Sequence, residues 1–294
     1  MRVLICGGTG FLGRHIVNAL ALLGHDPVVR SRHSQPPLDF GVCTTAEAWL
    51  EHLHGIDAVI NAVGALRDKP GQDLQTLHAL APMALFDACA QAGVRRVVQV
   101  SALGAGLSGT QYATTKRAAD EHLLALGRQG LLNPVVVRPS IIFGAGGASS
   151  QLFMNLARLP LLLLPELMRS SQIQPVAVRD LADVLAHMAT SDAPEGMVEI
   201  GGPEPLSTEA FIASLRSQMG YGPASVYALP DWMSKGSARV GDQIPSLPWC
   251  SETMALLEND NVTDPRTLAT LLGRAPVAPG AMLGTVPREG RRHA

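Results

Sequence analysis

The chain has 294 residues, of which 47% are hydrophobic and only 16% are charged. A disordered chain combines low hydrophobicity with high charge, so this composition excludes one, and the length allows one large domain or two intermeshed ones. Lys and Arg number 23 against 25 Asp and Glu, a net charge of −2 that offers nucleic acid no electrostatic footprint, so we expect no nucleic-acid partner.

Short apolar runs alternate with helical patterns through the first 140 residues. The alternation is typical of βαβ units, so we predict an α/β fold with a doubly wound, Rossmann-type parallel sheet. The apolar runs predict buried strands at residues 3–6, 27–30, 57–61, 96–100 and 135–138. Apolar residues at helical spacing predict helices at residues 11–23, 46–54, 74–92 and 111–128.

The later elements are shorter. Strands are predicted at residues 175–178 and 197–200, with Asp180 capping a helix that runs towards Thr190. Beyond residue 203, Ser207 can cap a helix to about Met219, and the pattern then predicts an extended segment and two short helices, at residues 224–229, 251–258 and 265–272.

These elements divide the chain into two predicted units and a tail. Residues 1–140 and 175–202 would form the nucleotide-binding Rossmann domain. Residues 141–174 and 203–275 would form one small, discontinuous C-terminal lobe, and residues 276–294 a loose tail.

No membrane-spanning segment is predicted. The first apolar run passes straight into glycines and is too short for a signal peptide, so we expect a cytoplasmic protein. The most apolar stretch, residues 156–168, is broken by Arg158, Pro160 and Pro165, whereas a spanning helix needs about 20 apolar residues. We interpret it as a buried helix and loop, with a face for a peripheral membrane or protein partner as the alternative.

The cysteine and histidine spacings predict no metal site. Four cysteines form no C-x-x-C pair, and nine histidines form no H-E-x-x-H pattern. Cys6 and Cys89 lie in apolar patterns, so we expect buried free thiols.

A glycine-rich turn follows the first predicted strand and opens the first predicted helix. Gly7, Gly10 and Gly13 form a G-x-x-G-x-x-G pattern, and small residues there let the backbone approach a pyrophosphate at the helix N-terminus. An ordinary tight turn is the plain alternative. The residues between and beside the glycines are also candidate cofactor contacts: Thr9, Phe11 and Leu12.

The end of the second strand indicates which dinucleotide binds. NAD-binding proteins place an acidic residue there, but this chain has Arg30, Ser31 and Arg32. Two arginines and a serine suit a 2′-phosphate, so NADP(H) is favoured. NAD(H) stays an alternative, because arginine also stacks on adenine without a phosphate.

Tyr112 and Lys116 form a Y-x-x-x-K pair at the start of a helix, where positions i and i+4 share a face. The chain holds only three tyrosines and three lysines, so this spacing is unlikely by chance. A neighbouring cation favours tyrosinate, so we expect Lys116 to lower the pKa of Tyr112 and make it a proton donor or acceptor. A surface Tyr–Lys pair is the alternative.

Two other strand ends lie at the edge of the predicted sheet where ligands bind. Ser101 ends the fourth of the predicted strands listed above, and it could hydrogen-bond a substrate oxygen beside Tyr112 or only form a turn. Asn61, Ala62, Val63 and Gly64 follow the strand before it and are candidate cofactor or loop contacts.

These motifs, with the run Arg138-Pro-Ser-Ile-Ile-Phe-Gly144, resemble an atypical or extended short-chain dehydrogenase/reductase. The similarity extends to about residue 275 and is strongest to the branch of the NAD(P)H-binding accessory subunit of respiratory complex I and its bacterial relatives. It implies that the three glycines bind pyrophosphate, that Arg30 and Arg32 meet the adenosine ribose or its phosphate, and that Tyr112 is the acid/base. Lys116 would hold the nicotinamide ribose, and Pro139 and Ile142 would border the nicotinamide.

Two positions depart from the family pattern. Leu103 stands where extended members often carry a catalytic Ser or Thr, and His78 stands where they usually carry Asn.

Three functional hypotheses are therefore considered. The first is an NADP-dependent oxidoreductase with Tyr112, Lys116 and Ser101 as catalytic residues and a small, apolar carbonyl or alcohol substrate. The second is a non-catalytic NADPH-binding structural, assembly or redox-sensing protein. The third is a nucleotide-sugar epimerase or dehydratase, for which the lobe has few basic residues.

Overall fold

A computed structural model describes residues 1–31, 34, 37–69, 71–106, 109–244 and 249–286. The strands within these ranges are β1 (Arg2–Cys6), β2 (Asp26–Arg30), β3 (Ala58–Asn61), β4 (Arg96–Val100), β5 (Asn133–Pro139), β6 (Ile142–Phe143), β7 (Leu161–Pro165), β8 (Gln172–Ile173), β9 (Val176–Ala177), β10 (Gly196–Ile200), β11 (Leu206–Ser207) and β12 (Ser225–Leu229).

The α-helices of the described residues are α1 (Phe11–Leu22), α2 (Glu47–Leu50), α3 (Ala81–Ala92), α4 (Gln111–Arg128), α5 (Ala148–Arg158), α6 (Glu166–Ser170), α7 (Val178–Thr190), α8 (Thr208–Gln218), α9 (Asp231–Asp242), α10 (Ser251–Leu256) and α11 (Arg266–Leu272). Short 3-10 segments occur at Glu51–Leu53, Leu103–Gly106 and Pro279–Thr285, and a π-helical turn precedes α3 at Thr76–Leu80.

The central sheet has the predicted doubly wound topology. In the described residues six strands pair in parallel in the order β10-β5-β4-β3-β1-β2. The order reverses direction between β1 and β3, and the carboxyl ends of β1, β3, β4 and β5 open onto one edge. Ligands of such sheets bind at that edge. The predicted fold class is confirmed.

Both faces of the sheet are covered, which explains the low charge of the strands. Side chains alternate along a strand, so Leu4 and Ile5 enter different cores. Ile5 packs in the core that α1 and α7 cover, and Leu4 in the core that α3 and α4 cover.

A third apolar core lies in the lobe beyond the edge of the sheet. Phe143, Phe153 and Phe211 meet edge to face there, and Leu162 and Met282 pack with them. Most residues of this core come from the two predicted segments of the lobe, 141–174 and 203–275. Met282 is fully buried, so residues 276–286 pack against the lobe and do not form the loose tail that we expected. Residues 287–294 of that tail lie outside the described residues.

Two further expectations are corrected. Asp180 does not cap its helix, because α7 already begins at Val178. The Asp180 carboxylate instead accepts the backbone N–H of Val277 at 2.7 Å and pairs with Arg274 at 2.8 Å. Residues 156–168 are not a helix and loop, because strand β7 occupies their centre and pairs in parallel with β12. The cap at Ser207 is confirmed, since its hydroxyl accepts the N–H of Ala210.

All four cysteines are buried free thiols. Cys6 and Cys89 share the core beneath α3, and burial raises the pKa of both thiols. Among the described helices, none combines the length and the apolar character that crossing a bilayer requires.

Candidate active site

The turn after β1 can hold a phosphate group only because its residues are glycines. Gly7 has a φ of +81°, and its carbonyl oxygen accepts the N–H of Gly10 at 2.9 Å. A Cβ on Gly13 would overlap that same carbonyl oxygen. The turn leads into the N-terminus of α1 with Thr9 and Gly10 exposed, the geometry that accepts a pyrophosphate. The predicted turn residues are thus brought together.

The two side chains that open α1 have different surroundings. Leu12 is buried in the core under the sheet. Phe11 faces the loop after β6, where a Cβ on Gly147 would lie only 2.9 Å from its ring. Phe11 therefore stands between the glycine turn and the lobe.

Arg30 ends β2 directly beside Cys6, the residue before the glycine turn. After it, the N–H of Ser31 donates to the hydroxyl of Ser34 at 3.0 Å, which turns the chain away from the sheet. This placement puts Arg30 at the β2 end of the sheet edge, beside the glycine turn. Arg32 lies outside the described residues.

The loop after β3 is shaped by a buried asparagine. The Asn61 amide donates to Gln99 at 2.8 Å, and its oxygen accepts the N–H of Val63 at 3.2 Å. Ala62 continues the sheet by donating to the carbonyl of Cys6. Asn61 is therefore a loop-forming residue, one of the two roles considered from sequence. A Cβ on Gly64 would lie 3.4 Å from the Lys116 ammonium.

Lys116 joins two strand ends. Its ammonium donates to the carbonyls of Val63 and Val100, each at 3.1 Å, and the side chain is almost fully buried. Burial lowers the pKa of Lys116 to about 8, against the opposing negative charge of Asp120. An ammonium carries three donors, so one remains for a ligand hydroxyl at this edge.

Tyr112 lies one helical turn before Lys116 and lines the pocket described below. Burial, reinforced by the negative charge of Asp120, raises the pKa of Tyr112 to about 12. This reverses our expectation that Lys116 would lower it. The physical reason is that the ammonium is directed at the two carbonyls while the low-dielectric surroundings disfavour tyrosinate. Tyr112 is therefore a protonated phenol at neutral pH.

His78 supports the Tyr112 ring. The two rings meet edge to face with centroids 5.3 Å apart, and His78 sits on the π-helical turn. Its Nε2 accepts the N–H of Ala65 at 3.0 Å, and its Nδ1 lies 3.2 Å from the Thr115 hydroxyl. Burial and the charge of Lys116 lower the pKa of His78 to about 2, so the ring is neutral. The residue that departs from the family pattern thus has a structural role here.

Sequence reasoning missed a buried network beside this pair. Asp120 Oδ2 accepts the Ser101 hydroxyl at 2.7 Å and the Arg138 Nε and Nη2 at 3.0 and 2.9 Å. Burial raises the pKa of Asp120, although the Ser101 hydrogen bond and the Arg138 charge oppose the shift. The Ser101 hydroxyl therefore donates its one hydrogen bond to Asp120, and only its oxygen lone pairs are left to accept a hydrogen bond from a substrate. The signal was available, since Asp120 follows Lys116 by four residues on the same helix face.

A cavity of about 330 Å³ lies between the ends of β4 and β5 and the lobe. It brings together Phe11, Ser101, Tyr112, Pro139 and Ile142. No residue of its described lining is charged, and the remaining lining is Leu66, Ala102, Gly104, Ser140, Ile141, Gly147, Ala148, Ser149, Leu152, Phe153, Met168, Thr208, Trp249, Thr253, Leu256, Leu257 and Asn261.

Two other features do not belong to this site. A wider surface groove of about 850 Å³ runs between α1 and α7, but its lining contains neither Tyr112 nor Lys116. Leu103, at the position of a family catalytic hydroxyl, is buried. Over the described part of the chain, no three His, Cys, Asp or Glu side chains converge as metal ligands would.

The glycine turn at a doubly wound sheet edge, with a Tyr–Lys pair at the far end, defines a dinucleotide-binding protein of the Rossmann class. The profile of the NAD dependent epimerase/dehydratase family matches residues 3–201, and the chain belongs to that family. An NAD(P)(H) cofactor is expected from the family, and the resemblance read from the motifs is confirmed.

Two curated relatives match part of the chain. The chain is 30% identical over 208 residues to a ceramide reductase of Caulobacter vibrioides, covering 67% of this chain and 63% of that protein. It is 27% identical over 202 residues to the mouse mitochondrial NADH dehydrogenase [ubiquinone] 1 alpha subcomplex subunit 9, covering 64% and 52%. The matched region thus spans less than two thirds of the length of either relative.

Solved structures share the fold. An NADPH-dependent quinone oxidoreductase of Escherichia coli, solved with NADPH, aligns with a TM-score of 0.74 at 17% identity, covering 97% of this chain and 99% of that one. A UDP-N-acetylglucosamine 4-epimerase of Bacillus cereus aligns with a TM-score of 0.64 at 17% identity, covering 95% and 99%. At such identities the similarity concerns the fold alone.

Proposed function

We propose that the chain is an NADP(H)-dependent oxidoreductase that reduces the carbonyl group of a largely apolar substrate. The observation that carries the proposal is the uncharged cavity with the Tyr112 phenol in its wall. Pro139 and Ile142 line the same cavity and were predicted to border the nicotinamide. A carbonyl seated there would lie between the cofactor edge and a proton donor.

The residues present fit the cofactor. The glycine turn leaves Thr9 and Gly10 exposed at the N-terminus of α1 for a pyrophosphate, and Arg30 stands beside the turn for a 2′-phosphate. Lys116 offers its third N–H to the nicotinamide ribose. When NADPH is bound, it supplies the hydride that a carbonyl carbon accepts.

The chain's own residues supply the proton and its surroundings. Tyr112, whose pKa of about 12 keeps the phenol protonated at neutral pH, donates its phenolic proton to the carbonyl oxygen. The Lys116 ammonium is positive near neutral pH and fixes the ends of the two strands beside Tyr112 through the carbonyls of Val63 and Val100. His78 holds the ring in place, and Ser101 contributes an acceptor oxygen to the cavity wall.

The cavity lining disfavours a nucleotide-sugar substrate. A substrate diphosphate needs basic side chains, and the described lining offers none. Arg216 of the lobe donates to the carbonyls of Ala157 and Leu159 inside the lobe instead. The relative named ceramide reductase acts, by its name, on a lipid, which agrees with an apolar cavity.

A non-catalytic NADPH-binding role is the second candidate. It is favoured by Leu103, buried where a family hydroxyl would stand, and by Ser101, whose hydroxyl donates to Asp120.

One measurement distinguishes the two candidates. Purified protein with NADPH and a series of alkyl ketones of increasing length should oxidise NADPH, with kcat/KM rising as the chain lengthens. Tight NADPH binding without turnover on the whole series would instead support the second candidate, and dihydroxyacetone, a small hydroxylated ketone, serves as the polar control.

Arg30→Asp should shrink the preference for NADPH over NADH. A carboxylate repels a 2′-phosphate and accepts the hydroxyls of NADH, so we expect the affinity ratio to fall by about tenfold, or about 1.4 kcal/mol. Fluorescence titration of both cofactors measures it. Arg95→Asp, at the loop before β4 on the opposite end of the sheet, is the matched control. Equal affinities in the parent protein would contradict the NADP(H) assignment.

The pH profile should report Lys116. Its ammonium is protonated below a pKa of about 8 and neutral above it, whereas Tyr112 keeps its proton to about pH 12. We therefore expect kcat/KM for NADPH, which follows the free enzyme, to fall as pH rises through about 8. Lys116→Met should remove this limb along with most activity. A pH profile of kcat/KM that stays level up to the pKa of free tyrosine, about 10, would contradict the role given to Lys116.

A further inference from the structure

Two polar side chains in the wall of the cavity, those of Thr208 and Asn261, carry a buried oxygen atom that has no hydrogen-bond partner in the described part of the chain. Thr208 is only 1% exposed, and the unpaired atom is its hydroxyl oxygen Oγ1. In Asn261 the unpaired atom is the amide oxygen Oδ1. Most buried polar groups in proteins are paired, so two unpaired ones in the wall of a single cavity need an explanation.

The backbone around both residues is held by one short strand. β8 pairs on one side with β11, where Ser207 lies opposite Gln172, and Thr208 follows directly and begins α8. On the other side of β8, Ile173 forms a bridge to Asn261, and the carbonyl of Gln172 accepts the Asn261 N–H at 2.8 Å. Thr208 and Asn261 therefore flank the same strand, and neither stands on a loose loop.

Asn261 lies close to the place proposed for the reacting carbonyl. Its backbone oxygen accepts the hydroxyl of Ser140 at 2.8 Å, and Ser140 follows Pro139, which was predicted to border the nicotinamide. A Cβ on Gly104 would lie 3.9 Å from the Asn261 Nδ2, and Gly104 lines the same cavity as Ser101. The carboxamide of Asn261 thus belongs to the wall where the proposed reaction takes place.

The chemistry of the two unpaired atoms selects the group that they would bind. An amide oxygen only accepts, whereas a threonine hydroxyl both donates and accepts. A ligand ether or ester oxygen only accepts, so it would leave the Asn261 Oδ1 unpaired. A carboxylate or an ammonium group would bring a charge into a described lining that holds no opposite charge. A hydroxyl group donates and accepts at one atom, so it can pair with either residue.

We infer that Thr208 and Asn261 form a subsite for a hydroxyl group, and that the substrate is an apolar carbonyl compound with at least one free hydroxyl. This inference names the substrate class of the cavity and rests on the proposed function. The two oxygens lower the stability of the empty protein and become paired when the substrate enters. A compound without the hydroxyl leaves them unpaired and binds more weakly.

The experiment is calorimetric titration of the purified full chain, with and without NADPH, with 1,2-octanediol and with 1-octanol. Neither alcohol has a carbonyl that NADPH could reduce, so binding is measured without turnover. We expect the diol to bind at least about tenfold more tightly. An apolar cavity without the subsite would show the opposite order, because the diol has one more polar group to desolvate.

Four variants assign the subsite to its residues. Thr208→Val and Asn261→Leu remove the polar groups at similar volume, and each should lose the preference for the diol. Thr190→Val and Asn155→Leu are the matched controls, because both residues lie outside the described lining and have partners of their own. Both controls should keep the preference of the parent. A loss confined to one of the two test variants assigns the hydroxyl to that residue, and a preference that survives in both overturns the inference.

Urea unfolding tests the same idea without any ligand. Thr208→Val removes a hydroxyl that has no described partner, so it should unfold at the same urea concentration as the parent or at a higher one. Thr190→Val should unfold at a lower concentration, because the Thr190 hydroxyl donates to the carbonyl of Ala186 at 2.9 Å. An equal loss of stability in the two variants would mean that the Thr208 hydroxyl is satisfied within the fold, and would overturn its assignment.

The results also separate this inference from the proposed reaction. If the parent binds 1-octanol as tightly as the diol, or binds neither, the hydroxyl subsite is overturned, even where alkyl ketones are reduced. If the parent prefers the diol but oxidises no NADPH with 1-hydroxy-2-octanone, the subsite is supported and the proposed reaction is contradicted.

Discussion

Replacing Tyr112 with Phe should lower kcat for carbonyl reduction by about 10²- to 10⁴-fold, the usual contribution of a positioned proton donor. The substitution removes one hydroxyl and keeps the ring that packs edge to face on His78. The helix and the Lys116 contacts with Val63 and Val100 do not depend on that hydroxyl. The affinity for NADPH should therefore stay within about twofold of the parent value.

The control for this variant is Tyr221→Phe. Tyr221 lies under the Arg216 guanidinium, outside the cavity, so its hydroxyl has no part in the proposed step. The measurement is steady-state NADPH oxidation with the best ketone of the series, together with cofactor titration. Unchanged turnover in Tyr112→Phe would remove the proposed proton donor and, with it, the proposed reaction.

Arg138→Met should cost about 3–5 kcal/mol of unfolding free energy, the usual effect of leaving a buried charge without its partner. Arg138 meets Asp120 through two nitrogens, and the Asp120 side chain is fully buried. Burial already raises the pKa of Asp120 against the charge of Arg138. Without Arg138, Asp120 has only Ser101 to satisfy it and must take up a proton or stay charged at high cost.

A double variant separates the effect of breaking the Asp120–Arg138 ion pair from the effect of changing side-chain volume. Asp120→Leu/Arg138→Met removes both charges and should recover most of the loss, because a buried pair replaced by apolar residues is often neutral. Asp264→Asn is the surface control. Its pair with Arg266 is largely exposed, and a change below about 1 kcal/mol is expected. Urea unfolding of all three variants measures the differences, and equal losses in Arg138→Met and Asp264→Asn would refute a buried pair.

Local patterns were sufficient to predict the Rossmann half. The strand–turn–helix of residues 2–22 follows from an apolar run, glycines and helical spacing, all within one stretch of sequence. The pairing of Tyr112 with Lys116 follows from the i, i+4 rule alone. The same rule would have found Asp120, had it been applied one turn further along α4.

The features that could not be predicted depend on contacts between residues far apart in the sequence. The pKa of Tyr112 is set by where Lys116 directs its hydrogen bonds, and those carbonyls belong to strand ends 53 and 16 residues away. Asp180 was expected to cap its own helix, but it is bound by Val277, 97 residues further on. Four consecutive leucines in β7 have no period, and a short apolar run does not distinguish a strand from a buried helix.

Because every cysteine is buried, the rate at which a thiol reagent labels each one measures how often the structure around it opens. A thiol reagent reaches a buried sulfur only when the surrounding structure opens. Cys6 and Cys89 report the opening of the layer under α3, and Cys250, at the start of α10, reports the opening of the lobe wall that borders the cavity. The labelling rates of these cysteines therefore measure the opening of the layer under α3 and of the lobe wall separately. A compound that slows the labelling of Cys250 alone acts on the lobe wall and not on the layer under α3.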